Sequence, residues 1–231
     1  MRISGLQKLS MVDFPGKPAA TVFTGGCNLR CPFCHNAPLV LRVAETPALP
    51  QEEVLAFLRS RRGLLDGVVL SGGEPLLQSG AAEFLQEVKS LGFAVKLDTN
   101  GCYPEALRAV LEQSCVDYVA MDIKNRPEKY AETVGIPDFD VRPVLESAAL
   151  LRTSGIEYEF RTTVVREFHT PDDIRAIGEW LRGSPRYYLQ QFADSGDLVG
   201  TGCHALNPLE LKDFAKIAEP FFGTVELRGI D

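Results

Sequence analysis

Three cysteines, Cys27, Cys31 and Cys34, lie within eight positions of one another. In a chain of this length, thiols at such close spacing are more typical of metal binding than of disulfides. A structural zinc site needs four ligands, and beside these cysteines His35 is the candidate for the fourth. An iron–sulfur cubane held by three cysteines instead leaves one iron open to a substrate. The spacing therefore predicts a cluster with one free coordination position, with zinc as the alternative.

The elements that must position these cysteines alternate between strand and helix. The predicted strands are Ala19–Thr24, Gly67–Leu70, Phe93–Asp98, Val116–Ile123, Ile156–Val165 and Arg186–Phe192. The predicted helices are Gln51–Arg62, Ala81–Leu91, Pro104–Gln113, Val141–Thr153, Pro171–Arg182 and Pro208–Pro220. Strict alternation indicates a parallel sheet, and six units suit either a doubly wound sheet or an incomplete (β/α) barrel.

Polar residues cluster where the predicted strands end, which is where parallel α/β sheets bind their ligands. On the fifth strand, the alternation of polar and apolar residues from Glu157 to Thr163 predicts one polar face that looks into the barrel. This face indicates a solvated cavity for a polar ligand, and a buried network of ion pairs without a ligand is the alternative. The charged residues expected to reach this lumen are Lys96, Asp98, Asp122, Lys124, Glu159 and Arg161.

Two motifs together resemble the radical S-adenosylmethionine (SAM) superfamily. The Cys-x3-Cys-x2-Cys spacing, with Phe33 before the third cysteine, is similar to the signature of that superfamily, and Gly72-Gly73-Glu74-Pro75 resembles its second motif. The resemblance favours the partial (β/α)6 TIM-like barrel, in which six rather than eight units would leave a lateral opening. The length of 231 residues predicts one domain, residues 1–231. The resemblance further implies a [4Fe-4S] cluster on the three cysteines, whose open iron binds SAM and cleaves it to an adenosyl radical.

The resemblance also implies which residues contact SAM. In the superfamily the Gly-Gly-Glu-Pro segment accepts hydrogen bonds from the amino group of SAM, and Glu74 would supply charge for that ammonium. Asp122 and Lys124 resemble the Asp-x-Lys pair with which glycyl-radical-enzyme activases hold the ribose and carboxylate of SAM. Asp98 and Asn100 match a segment that lies near a bound monovalent cation in those activases. The predicted SAM contacts are Gly72, Gly73, Glu74, Pro75, Asp98, Asn100, Asp122, Lys124 and Arg161.

Three segments carry a more specific resemblance, to particular groups within the superfamily: Leu9–Gly16, Cys31–Asn36 and Met121–Lys124. They resemble activating proteins of anaerobic ribonucleoside-triphosphate reductase and, less closely, pyruvate formate-lyase activase. Such activases abstract the α-hydrogen of one glycine, which implies a glycyl-radical enzyme as protein substrate and a flavodoxin or ferredoxin-like electron donor. The alternatives are a small-molecule radical SAM enzyme such as 7-carboxy-7-deazaguanine synthase, or a non-catalytic iron–sulfur or zinc protein.

Charge and hydropathy bear on partners and location. The net charge of −7, with one tight basic cluster at Arg59–Arg62, argues against a nucleic-acid surface. The sequence has neither an apolar run of about 20 residues nor the apolar stretch of a signal peptide, so we expect a cytoplasmic protein. Cys102, Cys115 and Cys203 are predicted to be small buried hydrophobic residues. The Gly-rich, acidic segment Ala193–Gly202 is predicted to be a mobile loop at the rim of the barrel.

Overall fold

The computed structural model describes residues 1–230, and its centre is one eight-stranded sheet with the strands in chain order. The strands are β1 Ile3–Ser10, β2 Ala19–Thr24, β3 Gly67–Gly72, β4 Ala94–Thr99, β5 Tyr118–Asp122, β6 Glu157–Val164, β7 Arg186–Gln191 and β8 Thr224–Arg228. β1 pairs antiparallel with β2, and each later pair of neighbours is parallel. Within residues 1–230 no pairing joins β8 to β1, so a lateral gap remains. The predicted partial barrel is confirmed.

Helices follow the strands β2 to β7 along the chain. They are α1 Ala37–Leu41, α2 Gln51–Ser60, α3 Ala81–Ser90, α4 Pro104–Glu112, α5 Tyr130–Val134, α6 Arg142–Thr153, α7 Pro171–Trp180 and α8 Pro208–Ala218. Two of the helices begin with a capping box, because Thr170 and Asn207 each form one ahead of a proline at the first turn. In the part of the chain that the structure describes, no helix is both long and apolar enough to cross a bilayer.

Two strands, β1 and β8, are additional to the six that the sequence predicts. Both lie at an edge of the sheet, and β1 keeps only its two end residues buried while β8 buries none. Edge strands that are partly solvated carry a weak apolar pattern, so their pairing depends on a neighbouring strand rather than on their own composition. They extend the six predicted strands to eight and form the two sides of the lateral gap.

An apolar plug closes the barrel at the amino-terminal ends of its strands. Phe14, from the hairpin between β1 and β2, packs with Ala19, Val69 and Tyr118 in a small separate core. Gly67 allows this, because a Cβ at that position would lie 2.7 Å from Cδ1 of Phe14. Phe14, Ala19, Val69 and Tyr118 are each at most 3% exposed, so this cluster excludes solvent.

We expect Phe14→Ala to lower the free energy of unfolding by about 3 kcal/mol, because deleting a buried ring leaves a cavity. The Phe14 side chain is 3% exposed. Urea denaturation of the metal-free protein measures the effect. Leu209→Ala is the control, since Leu209 is 72% exposed and its truncation should cost no more than about 0.5 kcal/mol. Equal losses in the two variants would show that Phe14 is not a structural plug.

Candidate active site

The barrel opens at the carboxyl ends of its parallel strands into a cavity of about 410 Å³. The cavity brings together nearly every residue that the sequence nominated. Those in its wall are Cys27, Cys31, Cys34, Gly72, Gly73, Glu74, Asp98, Asn100, Asp122, Lys124 and Arg161. Pro75, Lys96 and Glu159 do not line the cavity. Pro75 is buried at the start of the 3-10 turn Pro75–Leu77, and Lys96 and Glu159 are 1% and 0% exposed.

The cavity wall also contains polar residues that were not nominated as ligand contacts. Ser71, Thr163 and Gln190 all line it from strand ends. Ser71 donates a hydrogen bond of 3.0 Å from its hydroxyl to the carboxylate of Asp98. The signal that could have identified them is the period of two within each strand, because Thr163 lies two residues beyond Arg161 on the same face of β6.

The cysteine loop follows β2 and lies against the Gly-Gly-Glu-Pro segment, backbone to backbone. The amide of Glu74 donates to the carbonyl of Gly26 at 2.8 Å. Gly73 makes this contact sterically feasible, since a Cβ there would lie 2.1 Å from the same carbonyl oxygen. The two motifs therefore form one joined wall of the cavity. Their separation is fixed by peptide groups rather than by flexible side chains.

The donor set fits an iron–sulfur cluster. All six cysteines are free thiols, and the three of the motif face one cavity from a single loop. Burial raises the pKa of Cys31 to about 12, although the charge of Lys124 opposes the shift. Metal ligation is what would keep such a thiol deprotonated at neutral pH. Among residues 1–230, no three Cys, His, Asp or Glu side chains are grouped as ligands of a single metal ion. That these cysteines are the cluster ligands stays a prediction.

The carboxylate of Glu74 is fully buried and bonded to the protein. It accepts hydrogen bonds from the amide of Asn100 at 2.7 Å, the amide of Leu76 at 3.0 Å and the hydroxyl of Thr99 at 2.8 Å. Burial raises the pKa of Glu74 to about 7, and these hydrogen bonds oppose the shift. In this structure Glu74 fastens the end of β3 to the end of β4. Its predicted contact with the ammonium of SAM stays a prediction.

A chain of ion pairs runs up the lumen wall. Lys96 pairs with Asp98, and Asp98 lies 3.5 Å from Arg161. Arg161 contacts one oxygen of Asp122 at 2.9 Å, and Lys124 contacts the other at 3.0 Å. Burial alone would raise the pKa of Asp122, but Arg161 and Lys124 hold it well below its usual range. The network of three cations and two anions thus carries one net positive charge, suited to a ligand that bears a carboxylate.

The polar lumen contains both a cavity and buried ion pairs, and that its residues bind a ligand stays a prediction. The upper members of the network line the cavity, whereas Glu159 lies deeper and is fully buried. Its carboxylate accepts two hydrogen bonds from Arg228, at 2.9 and 3.1 Å, and one from the hydroxyl of Tyr118 at 2.7 Å. This lower cluster is structural. Asp98 is already paired with two cations, which leaves little unbalanced negative charge there for the monovalent cation that the resemblance implied.

The segment Ala193–Gly202 lies against the cysteine loop. The amide of Val199 donates to the carbonyl of Cys34 at 3.1 Å, and the amide of Gly200 donates to that of Pro32 at 2.8 Å. Arg42 and Asp197 form an ion pair of 2.6 Å beside these contacts. The segment therefore covers the outer side of the cysteine loop, and it is attached there by its backbone. That the segment Ala193–Gly202 is mobile stays a prediction.

The fold and the site define a class of enzyme, and comparison with known families agrees. Residues 21–181 match the radical SAM superfamily, so this chain belongs to that superfamily. It is a radical SAM enzyme, and it uses the [4Fe-4S] cluster and SAM on which that superfamily depends. When bound, the cluster supplies the electron for reductive cleavage of SAM. The chain's own residues provide an enclosed wall, paired charges and a joined backbone scaffold for the two cofactors.

Particular relatives span two kinds of chemistry. Over 99% of its length the chain is 33% identical to a protein of Methanocaldococcus jannaschii named as a glycyl-radical enzyme activating enzyme, 96% of which is covered. It is 34% identical to a 7-carboxy-7-deazaguanine synthase of Hyperthermus butylicus, over 75% of this chain and 67% of that protein. A solved domain of pyruvate-formate lyase-activating enzyme from Bacteroides vulgatus shares the fold, with a TM-score of 0.58 and 16% identity over 71% of this chain and 99% of that one.

We expect Cys31→Ala to abolish SAM cleavage, because a cubane with two remaining thiolate anchors should be lost. Iron and sulfide per chain after anaerobic reconstitution measure this directly. Cys102→Ala is the matched control, since Cys102 lies outside the cavity wall and should leave the iron content unchanged. Full iron in Cys31→Ala, or loss of iron in Cys102→Ala, would contradict the ligand assignment.

Asp122→Asn and Lys124→Gln should each weaken SAM binding on the order of a hundredfold, because each removes one charged contact to a partly desolvated ligand. The cluster should remain bound in both variants. Calorimetric titration of reconstituted protein with SAM measures the affinity. Lys216→Gln, which removes an exposed pair with Asp213, should bind SAM like the parent. Parental affinity in both cavity variants would mean that Asp122 and Lys124 serve the fold alone.

Proposed function

We propose that this protein activates a glycyl-radical enzyme, with anaerobic ribonucleoside-triphosphate reductase as the partner. It cleaves SAM reductively and removes the α-hydrogen of one glycine in that partner. The observation that carries the proposal is the similarity to the M. jannaschii activating enzyme, which extends over almost the whole of both chains. The similarity to the deazaguanine synthase covers a smaller part of each chain.

The architecture supports a protein substrate. Hydrogen abstraction requires the glycine Cα to come within contact distance of the cleaved SAM, so a segment of the partner must reach the cavity. The gap between β1 and β8 gives the barrel an open side. β8 has one backbone edge without a strand partner in the described structure, whereas the outer edge of β1 is used at Ile3, whose carbonyl accepts a hydrogen bond from the amide of Leu49 at 2.8 Å. A free strand edge such as that of β8 can hydrogen-bond an extended segment. A target glycine suits this route because it has no side chain.

Reduction of the cluster needs a one-electron donor, and a flavodoxin or ferredoxin-like protein in the cytoplasm completes the proposal. The part of the cysteine loop at Arg30, away from the backbone contacts with Ala193–Gly202, is exposed, and this favours a protein donor. Arg30 is exposed on this loop, between two of the proposed ligands, and a donor with an acidic surface would complement its charge. A cation at the surface nearest the cluster would attract such a donor and speed their encounter.

A small-molecule radical SAM enzyme is the second candidate. The similarity to 7-carboxy-7-deazaguanine synthase favours it, and the cavity of about 410 Å³ lies within the size range of small-molecule sites. The two candidates differ in what must pass the lateral gap. A small heterocycle would react without any partner protein, whereas an activase produces a radical that stays on the partner's backbone. Pyruvate formate-lyase is the further partner to test within the activase class.

We expect reduced enzyme and SAM to generate a glycyl-radical EPR doublet on an anaerobic ribonucleotide reductase, with 5′-deoxyadenosine formed in the same reaction. A partner whose target glycine is replaced by alanine is the control and should give no doublet. Pyruvate formate-lyase is assayed in parallel to decide the partner. Turnover of a pterin-like molecule, with no doublet on either partner, would favour the second candidate.

A further inference from the structure

A single helical turn holds the cysteine loop between Cys27 and Cys31. The amide of Arg30 donates to the carbonyl of Val134, the last residue of α5, at 2.9 Å. Gly135 follows with φ +68°, and a Cβ there would lie 2.5 Å from the carbonyl oxygen of Arg30. The cysteine loop therefore rests on this turn through two peptide groups. Only glycine permits the approach without displacing the loop.

The same turn is attached at its other end to the Asp-x-Lys segment. Tyr130, the first residue of α5, is fully buried. Its hydroxyl accepts a hydrogen bond from the amide of Lys124 at 3.1 Å and lies 3.5 Å from the carbonyl oxygen of Asp122. Its ring stacks on Phe139 with the centroids 5.6 Å apart. One end of α5 thus touches the backbone of the proposed SAM contacts, and the other end touches the cysteine loop.

The side chain of Arg30 closes the loop from the opposite side. One guanidinium nitrogen, Nη1, donates to the carbonyls of Cys27 at 2.8 Å and Leu29 at 2.7 Å. Within residues 1–230, no carboxylate forms an ion pair with Arg30, and its guanidinium donates its hydrogen bonds to carbonyls of the cysteine loop. The segment from Cys27 to Cys31 is therefore fixed by α5 beneath it and by Arg30 across it. These contacts determine where the first two thiols point.

We propose that the turn Tyr130–Gly135 is a positioning element that sets the distance between the cluster and the Asp122–Lys124 pair. Any SAM molecule that contacts the open iron and this pair together spans that distance, so a displacement of the loop costs both binding and cleavage. Gly135 is the positioning residue on the cluster side, and Tyr130 is the one on the SAM side. The proposal rests on the assignment of the cysteines and of Asp122 and Lys124, and it does not depend on which partner is activated.

The test compares two glycine substitutions with the same backbone cost. Gly155 has φ +75° and open space within 4 Å of the point where a Cβ would lie, whereas a Cβ on Gly135 would meet the Arg30 carbonyl. Gly135→Ala and Gly155→Ala should therefore lower the thermal midpoint of the metal-free protein, and Gly155→Ala should do no more than that. Gly135→Ala should also lose cluster iron to a chelator on the order of tenfold faster. Substitutions of groups that support metal ligands typically lower metal affinity by about 10–100-fold.

Tyr130→Phe provides a second measurement that keeps the buried ring. It should retain its iron, raise KM for SAM on the order of tenfold with a smaller change in kcat, and reduce the SAM-induced change in the EPR signal of the reduced cluster. If Gly135→Ala does not fold, the KM for SAM and the EPR signal of Tyr130→Phe test the proposal. Parental iron retention, KM and EPR in both variants would overturn the proposal. Because every readout concerns the cluster and SAM, a missing glycyl radical on a partner would bear on the proposed function and leave this result intact.

Discussion

The pairing of buried charges within the barrel is the constraint on which the site depends. Asp122 stands opposite Arg161 in the register of β5 and β6, and it also contacts Lys124. Slipping either strand by one residue would turn these side chains to the other face and leave charges buried without partners, at a cost of several kcal/mol each. The network therefore fixes the register of the central strands. That register places the polar strand ends around one cavity.

Close contacts between peptide groups place the loops on this frame. Gly73 lies against the carbonyl of Gly26, and Gly135 lies against that of Arg30. The cysteine loop is consequently held between the Gly-Gly-Glu-Pro segment and α5, and the segment Ala193–Gly202 covers it from outside. Loops supported in this way can present three thiols in one orientation before any cofactor binds. Such preorganisation reduces the entropy that cofactor binding must overcome.

The cavity wall and the lateral gap are built from different parts of the molecule. Except for Pro75, the residues that the superfamily resemblance assigns to the cluster and SAM line the inner wall of the cavity. The lateral gap between β1 and β8 is formed by edge strands outside that wall. Because one fold can host several reactions, the interior wall alone does not define the substrate, and under the proposed function the surfaces that border the opening would select it. An activase and a small-molecule synthase can thus share the same interior and differ at this gap.

The sequence by itself determined the cysteine motif, the strands β2 to β7 and six of the helices, because spacing, hydrophobic period and capping are local properties. The tertiary structure decided the rest. The edge strands β1 and β8 form by pairing with a neighbour, since their own apolar pattern is weak. The carboxylate of Glu74 accepts hydrogen bonds that connect the end of β3 to the end of β4. The carboxylate of Glu159 pairs with Arg228, which is sixty-nine residues away in the chain. The support of the cysteine loop by Gly135 joins segments about a hundred residues apart, and contacts at such separations leave no local pattern in the chain.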